Sequence, residues 1–202
     1  MPDQAYLKVE GISKRFGTGE NAVAALDEVS FTLDKGKFLS ILGPSGCGKS
    51  TLFNIIAGLM QPDTGAVTLQ GESLIGRPGL TGYMLQRDLL LPWRTIRDNI
   101  TLPATLRGTK AAKALRAAQG DVHACGLETL LYRRPDELSG GQRQRAALVR
   151  TLQTGKEMLL LDEPFGALDA VTRLRLQELL TDMCLAKSLT VLFVTHDVDE
   201  AL

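Results

Sequence analysis

Ile41-Leu-Gly-Pro-Ser-Gly-Cys-Gly-Lys-Ser-Thr51 decides the reading of this chain. Gly43 to Ser50 fits the pattern Gly-x4-Gly-Lys-Ser, a P-loop. Lys37-Phe-Leu-Ser-Ile-Leu42 precedes it, short and apolar enough for a buried strand. Leu52, Phe53, Ile55, Ile56, Leu59 and Met60 follow it, apolar almost all round, as in a buried helix. A strand–loop–helix context is what the motif requires. Its glycines let backbone N–H groups turn inward into a nest for phosphate oxygens, and the helix N-terminus adds positive dipole. Lys49 is expected to reach the β- and γ-phosphates of a nucleoside triphosphate, with the Ser50 hydroxyl on Mg²⁺.

The 202 residues suit one domain, or one core with an inserted subdomain. Apolar residues make up 44% and charged residues 23%, with 23 basic against 23 acidic side chains. That balance offers no global attraction to nucleic acid or anionic lipid. No apolar run approaches the roughly 18 residues of a membrane helix. Met1-Pro-Asp-Gln-Ala5 lacks the layout of a signal peptide, so a cytosolic chain is expected. Cys47, Cys125 and Cys184 have no metal-ligand spacing, and their odd number speaks against a disulfide framework. Cys47, at a helix N-terminus inside the P-loop, is either a reactive thiol or an inert small residue.

Tyr6–Glu10, Val29–Leu33 and Ala66–Gly71 alternate apolar and polar residues, which predicts half-exposed antiparallel strands, with Lys14–Asn21 as a loop. Gly82–Gln86 reads as a further strand. Beyond it the chain reads as helix and loop. Lys110–Ala118 consists of strong helix formers, and Pro135–Gly141 is a turn opening another helix. Met158–Leu161 and Val191–Val194 read as buried parallel strands, joined through an amphipathic helix carrying Leu176, Leu179, Leu180, Met183 and Cys184. The expected fold is α/β: a P-loop NTPase core, a parallel sheet with flanking antiparallel strands, and an inserted helical subdomain. The core spans about 1–86 and 155–202 and the helical subdomain about 87–154.

Asp162-Glu163 ends the Met158–Leu161 strand. A carboxylate at the carboxyl end of a buried strand can hold Mg²⁺, and Glu163 is the candidate general base toward water. Leu138-Ser-Gly-Gly-Gln142 opens a helix with a hydroxyl and free N–H groups, a second anion cradle. One nucleotide needs one cradle. A second, some 90 residues on, points to a head-to-tail pair in which each chain lends this site to the other's γ-phosphate; a plain Ser N-cap is the rival reading.

Gly43–Thr51, Gln86, Leu138–Gln142, Asp162-Glu163, Ala167-Leu-Asp169 and His196 occur in the order and spacing of the ATP-binding-cassette (ABC) ATPases, and the resemblance covers essentially the whole chain. It implies that ATP is held by Phe16, stacked on adenine, and by Gly43, Pro44, Ser45, Gly46, Cys47, Gly48, Lys49, Ser50 and Thr51. It implies Mg²⁺ on Ser50, Gln86 and Asp162, and catalysis by Glu163, His196, Gln86 and Lys49. Ser139, Gly140, Gly141, Gln142 and Asp169 would face the nucleotide of the other cassette in a homodimer. Each has a plainer rival: a loop aromatic for Phe16, a strand-end polar residue for Gln86, a helix cap for Asp169. His123 matches nothing and is expected on a surface helix.

Gln86-Arg-Asp-Leu-Leu-Leu-Pro-Trp-Arg94 resembles the segment after the Q-loop glutamine in importers of the nitrate, sulfonate, taurine and thiamine-precursor group. The resemblance implies partnership with membrane permease subunits and a solute-binding protein, at the cytoplasmic face of the cell membrane, without nucleic acid. Leu89–Leu91 and Trp93 either receive the permease or pack inside the subdomain. A soluble ABC ATPase of DNA repair or translation is the alternative, though neither a long coiled-coil insertion nor a second cassette is present. Cassettes of the family continue some tens of residues beyond the helix start at Asp197–Leu202, so a C-terminally incomplete domain is expected.

Overall fold

The computed structural model describes residues 5–19, 22–166 and 168–196. Asp197–Leu202, read above as a helix start, and Ala167 lie outside the described residues. The chain forms two compact units. One takes the residues up to Thr81, Glu157–Asp162 and those from Cys184 onward; the other takes Gly82–Lys156 and Glu163–Met183.

The first unit holds two sheets. In one, β1 (Leu7–Phe16) pairs antiparallel with both β2 (Val23–Leu33) and β4 (Thr64–Leu69), and the short β5 (Glu72–Ser73) adds to β4. Leu7, Val9 and Ile12 of β1 and Val67 of β4 are buried, while Lys8 and Glu10 are exposed, the alternation that a one-sided sheet demands. β1 runs through Lys14, Arg15 and Phe16, where the polar sequence predicts a loop. Ladder bonding to β2 holds that segment extended despite its composition, with Phe16 opposite Val23.

The other sheet is parallel: β3 (Phe38–Leu42) pairs with β8 (Thr190–Thr195), and β8 with β7 (Met158–Asp162). Every residue of β7 and β8 is buried. The strand before the P-loop is not the buried one expected, because Phe38 is 44% and Leu42 48% exposed. Among the described residues β3 is an edge strand bonded to β8 alone. A five-residue apolar run reads the same at an edge as at a centre. α1 (Lys49–Ile56) buries Leu52, Phe53, Ile55 and Ile56 and packs against β2 and β7. It stops four residues short of Met60, because Gly58 takes φ +74 and leaves the helical region. Leu59, expected on the buried helix, is consequently exposed.

The second unit begins with β6 (Gly82–Met84) and continues through α2 (Ile96–Leu106), α3 (Ala111–Ala124) and α4 (Gly140–Leu152); α5 (Ala170–Ala186) starts in it. α2 packs on α3 and α4, and β6 on α4. Ala146, Ala147, Leu148, Val149 and Leu152 form the buried face of α4. In α5 the predicted stripe is inside at Leu176, Leu180, Met183 and Cys184 and only half-buried at Leu179. Burial pushes the Cys184 thiol up to about 11. Asn99, wholly buried in α2, ties down the loop before it: its Oδ1 accepts from Leu91 N–H at 2.7 Å, and its Nδ2 donates to the carbonyls of Leu91 and Thr95 at 3.2 and 3.0 Å. Asn99→Ala leaves the part-buried Leu91 N–H and carbonyl without these bonds and is expected to destabilise the protein by about 1–3 kcal/mol, read as a lowered urea midpoint at unchanged slope.

Candidate nucleotide site

The P-loop joins β3 to α1. Gly46 (φ +82) and Gly48 (φ +98) take left-handed conformations. Gly48 is further constrained from outside, since a Cβ there would lie 2.2 Å from the Ala25 carbonyl oxygen. That carbonyl is aimed by an irregularity in β2: Lys14 faces Leu26 while Arg15 faces Ala24, so Ala25 is an unpaired, bulged residue. The loop therefore rests on a β-bulge that the motif alone does not reveal.

Lys49 is 8% exposed, and its Nζ donates to the carbonyls of Gly43 and Pro44 at 2.6 and 2.7 Å. The ammonium thus sits inside the curl of its own loop. Ser50 Oγ donates to Asp162 Oδ2 at 2.8 Å, although 112 residues separate them. Asp162 is 3% exposed. The register explains the meeting. Asp162 is level with Val194 of β8, and Thr195 is level with Leu42, so the carboxyl ends of three parallel strands deliver Asp162, His196 and the loop to one edge. Gly43 N–H donates to the Thr195 carbonyl at 3.4 Å, which ties the loop to the strand before His196. His196 itself is exposed. Cys47 is exposed, its Sγ 3.9 Å from Lys49 Nζ, and no disulfide involves Cys47, Cys125 or Cys184.

Glu163, next along the chain, takes φ +46, an uncommon conformation for a non-glycine residue that costs about 1–3 kcal/mol. Its Oε2 accepts a hydrogen bond from Gln86 Nε2 at 3.0 Å. Two residues predicted separately for catalysis are thereby bonded to each other, a contact that no sequence pattern announced.

Ser139 caps α4: its Oγ accepts from Gln142 N–H at 3.3 Å, and Gln142 Oε1 accepts from Ser139 N–H at 2.9 Å. This reciprocal capping box is the plainer reading of the segment. Asp169 likewise caps α5, its Oδ1 accepting from Thr172 N–H at 3.0 Å, and that backbone N–H leads in holding the carboxyl below the usual carboxylate range. Phe16, at the end of β1, is 44% exposed. His123 lies exposed on α3 as expected, beside Glu128.

The apolar run after Gln86 divides. Leu90 is buried, whereas Leu89 and Trp93 are 52% and 69% exposed. The backbone that presents them is clamped by α4. Arg143 Nε donates to Asp88 Oδ2 at 3.1 Å, Arg150 Nη1 donates to the Leu89 carbonyl at 2.7 Å, and Leu89 is held at φ +44. Gln86, Leu89, Gly140 and Arg143 line a cavity of about 450 Å³ in this unit. Sequence reading missed both arginines. Their only signal was spacing: at seven residues apart they share a helix face.

A strand-to-helix phosphate loop with a carboxylate delivered to its hydroxyl defines a P-loop nucleoside triphosphatase. Residues 26–166 match the model of the ABC transporter family, and the chain belongs to that family. It is an ABC-type ATPase. The chain is 45% identical to the taurine import ATP-binding protein of Pseudomonas aeruginosa (strain UCBPP-PA14), over 97% of this chain and 74% of the relative. It is 40% identical to an aliphatic sulfonates import ATP-binding protein of Bacillus cereus, over 97% of this chain and 77% of the relative. Among solved structures, the bacterial ABC transporter cassette MJ0796, determined as a dimer, superposes with a TM-score of 0.89 at 31% identity, over 96% of this chain and 90% of that one.

Proposed function

We propose that this chain is the ATP-hydrolysing subunit of an importer for a small solute of the nitrate, sulfonate, taurine or thiamine-precursor type. The observation that carries the ATPase chemistry is the 2.8 Å bond between Ser50 Oγ and Asp162 beside the Lys49 cradle. Two hard oxygen donors are the set that Mg²⁺ takes when phosphates and water complete its shell. Ser50 and Asp162 fit that ion; the family resemblance adds Gln86 as a further oxygen donor. When bound, Mg²⁺ neutralises charge on the β- and γ-phosphates.

Lys49 and the loop N–H groups from Gly46 to Ser50 bind the phosphates, Thr51 continues the first helical turn behind them, and Phe16 offers its ring to adenine. Glu163 takes the proton of the attacking water, with Gln86 fixing the carboxylate's orientation through its hydrogen bond. His196 supports the γ-phosphate. Ser139, Gly140, Gly141, Gln142 and Asp169 serve the nucleotide of a second cassette in a homodimer. Closure then depends on a γ-phosphate that both chains grip, and hydrolysis releases it.

The importer reading rests on the names of the relatives and on the exposed Leu89 and Trp93, held on a braced loop as a fixed apolar surface for permease subunits. A solute-binding protein completes the assembly, with the cassettes at the cytoplasmic face of the membrane. Among the described residues no helix is long and apolar enough to cross a membrane. Affinity purification of the protein from detergent-solubilised membranes of its source cells tests this. A multi-span permease and a solute-binding protein are expected to come with it. Recovery in the soluble fraction with nucleic acid or ribosomal proteins would replace the importer with a DNA-repair or translation ATPase.

A further inference from the structure

Phe16 ends β1, and its rung partner is Val23 of β2. Two residues further along β2 is Ala25, the bulged residue whose carbonyl abuts Gly48. Two strand residues span about 7 Å. The strand end that carries the 44%-exposed Phe16 is thus two β2 positions from the residue that seats the phosphate loop. What holds that ring is a feature of this chain that no motif describes. Asp63, in the turn before β4, accepts from Lys14 Nζ at 2.7 Å through Oδ1 and from Arg15 N–H at 2.7 Å through Oδ2. Its own N–H donates to the Ser13 carbonyl at 2.9 Å. Three consecutive residues ahead of Phe16 are thus bound to one aspartate. Lys14 Nζ, so anchored, lies 5.9 Å from the centre of the Phe16 ring, within cation–π range.

We propose that Asp63 and Lys14 form a clamp that positions Phe16 for the nucleotide base: Asp63 fixes the end of β1, and Lys14 covers one face of the ring and leaves the other for a purine. The proposal rests on the reading of Phe16 as the base platform. The geometry explains why a charged pair sits at this strand end. The terminal rungs of a strand fray, and the ladder to β2 is irregular from Ile12 to Arg15, so rung bonds alone hold Phe16 loosely. The side chain of Lys14 is 18% exposed and that of Asp63 45%, so the hold on the strand end comes from the number of bonds that converge on Asp63 rather than from burial of the ion pair. The Lys14 hydrogen bond leads in holding the Asp63 carboxyl below its usual range. The hydrogen bonds of Asp63 go to Ser13, Lys14 and Arg15, the residues that lead into Phe16, so it acts through Phe16 as a positioning residue.

Calorimetric titration of Asp63→Ala, Lys14→Ala and Phe16→Ala with Mg-ATP, and separately with inorganic tripolyphosphate, tests the clamp. Tripolyphosphate carries the phosphates without the base. Asp63→Ala is expected to weaken ATP binding by about 3- to 10-fold, the range of one aromatic contact, and to leave tripolyphosphate binding unchanged. Phe16→Ala is expected to do the same or more, and Asp63→Ala to add nothing in the Phe16→Ala background. A merely structural role would weaken both ligands together, and that outcome overturns the proposal. Unchanged ATP affinity in Asp63→Ala while Phe16→Ala loses it also overturns the clamp, with the base platform intact. Unchanged ATP affinity in Phe16→Ala instead removes the platform, and with it the reading of Phe16 above.

Discussion

Glu163→Gln is expected to slow ATP hydrolysis by about 10²- to 10⁴-fold while leaving ATP affinity within about twofold. That loss corresponds to roughly 2.7–5.5 kcal/mol of barrier, the usual worth of one general base. The substitution isolates proton abstraction because little else changes. The amide is isosteric, and its oxygen still accepts from Gln86, whose bond to Oε2 is 3.0 Å long in the parent. The backbone at φ +46 is unaltered. Single-turnover hydrolysis measured beside a binding titration separates the two effects. A variant that hydrolyses at the parental rate removes Glu163 from the role of base. A variant that loses ATP affinity as well would assign the carboxylate to binding instead.

Gly48→Ala is expected to weaken ATP binding by about 100-fold or more, and Gly46→Ala by only about tenfold. Both residues take left-handed backbone, which costs an L residue about 1–2 kcal/mol. They differ in what surrounds them. A Cβ at Gly46 meets nothing within 4 Å, whereas one at Gly48 would stand 2.2 Å from the Ala25 carbonyl oxygen and 3.1 Å from Leu26 Cδ2. Backbone cannot yield as a flexible side chain does, so the loop or β2 must shift, and the phosphate-binding N–H groups move with it. Tenfold corresponds to about 1.4 kcal/mol, so strain alone accounts for the milder variant and the clash for the difference. Calorimetric ATP titrations of the two variants measure the ratio directly. Equal losses would mean that the bulge at Ala25 does not constrain the loop. Thermal unfolding of Gly48→Ala, followed in parallel, separates a misplaced loop from an unfolded unit.

These effects divide between what was legible in the chain and what was not. The phosphate loop was legible because its geometry depends on local residue types: glycines where φ is positive, a lysine and a serine at the start of a helix. The buried strands β7 and β8 were legible because parallel strands covered on both faces must be apolar throughout. Antiparallel β1 and β2 were legible in their alternating halves only. The stretch Lys14–Phe16 is polar and reads as loop, yet ladder bonds keep it in β1. The same limit hid the edge position of β3, since five apolar residues carry no record of how many neighbours they have. Helix α1 was overextended because apolar Leu59 and Met60 continue the pattern past a glycine that ends the helix.

By itself the sequence determined the kinds of chemistry available: a triphosphate cradle, a carboxylate pair at a strand end, a capped glycine turn and a histidine after a buried strand. Each is a local pattern whose meaning comes from covalent neighbours and backbone freedom. Only the tertiary structure decided which of them meet. Register in the parallel sheet brings Asp162 to Ser50, a bulge in β2 seats Gly48, a hydrogen bond joins Gln86 to Glu163, and Asp63 gathers the end of β1 before Phe16. The reason is physical. Local conformation depends on residues three or four apart, whereas these contacts span 112, 23, 77 and 48 positions and exist only after the sheets have paired.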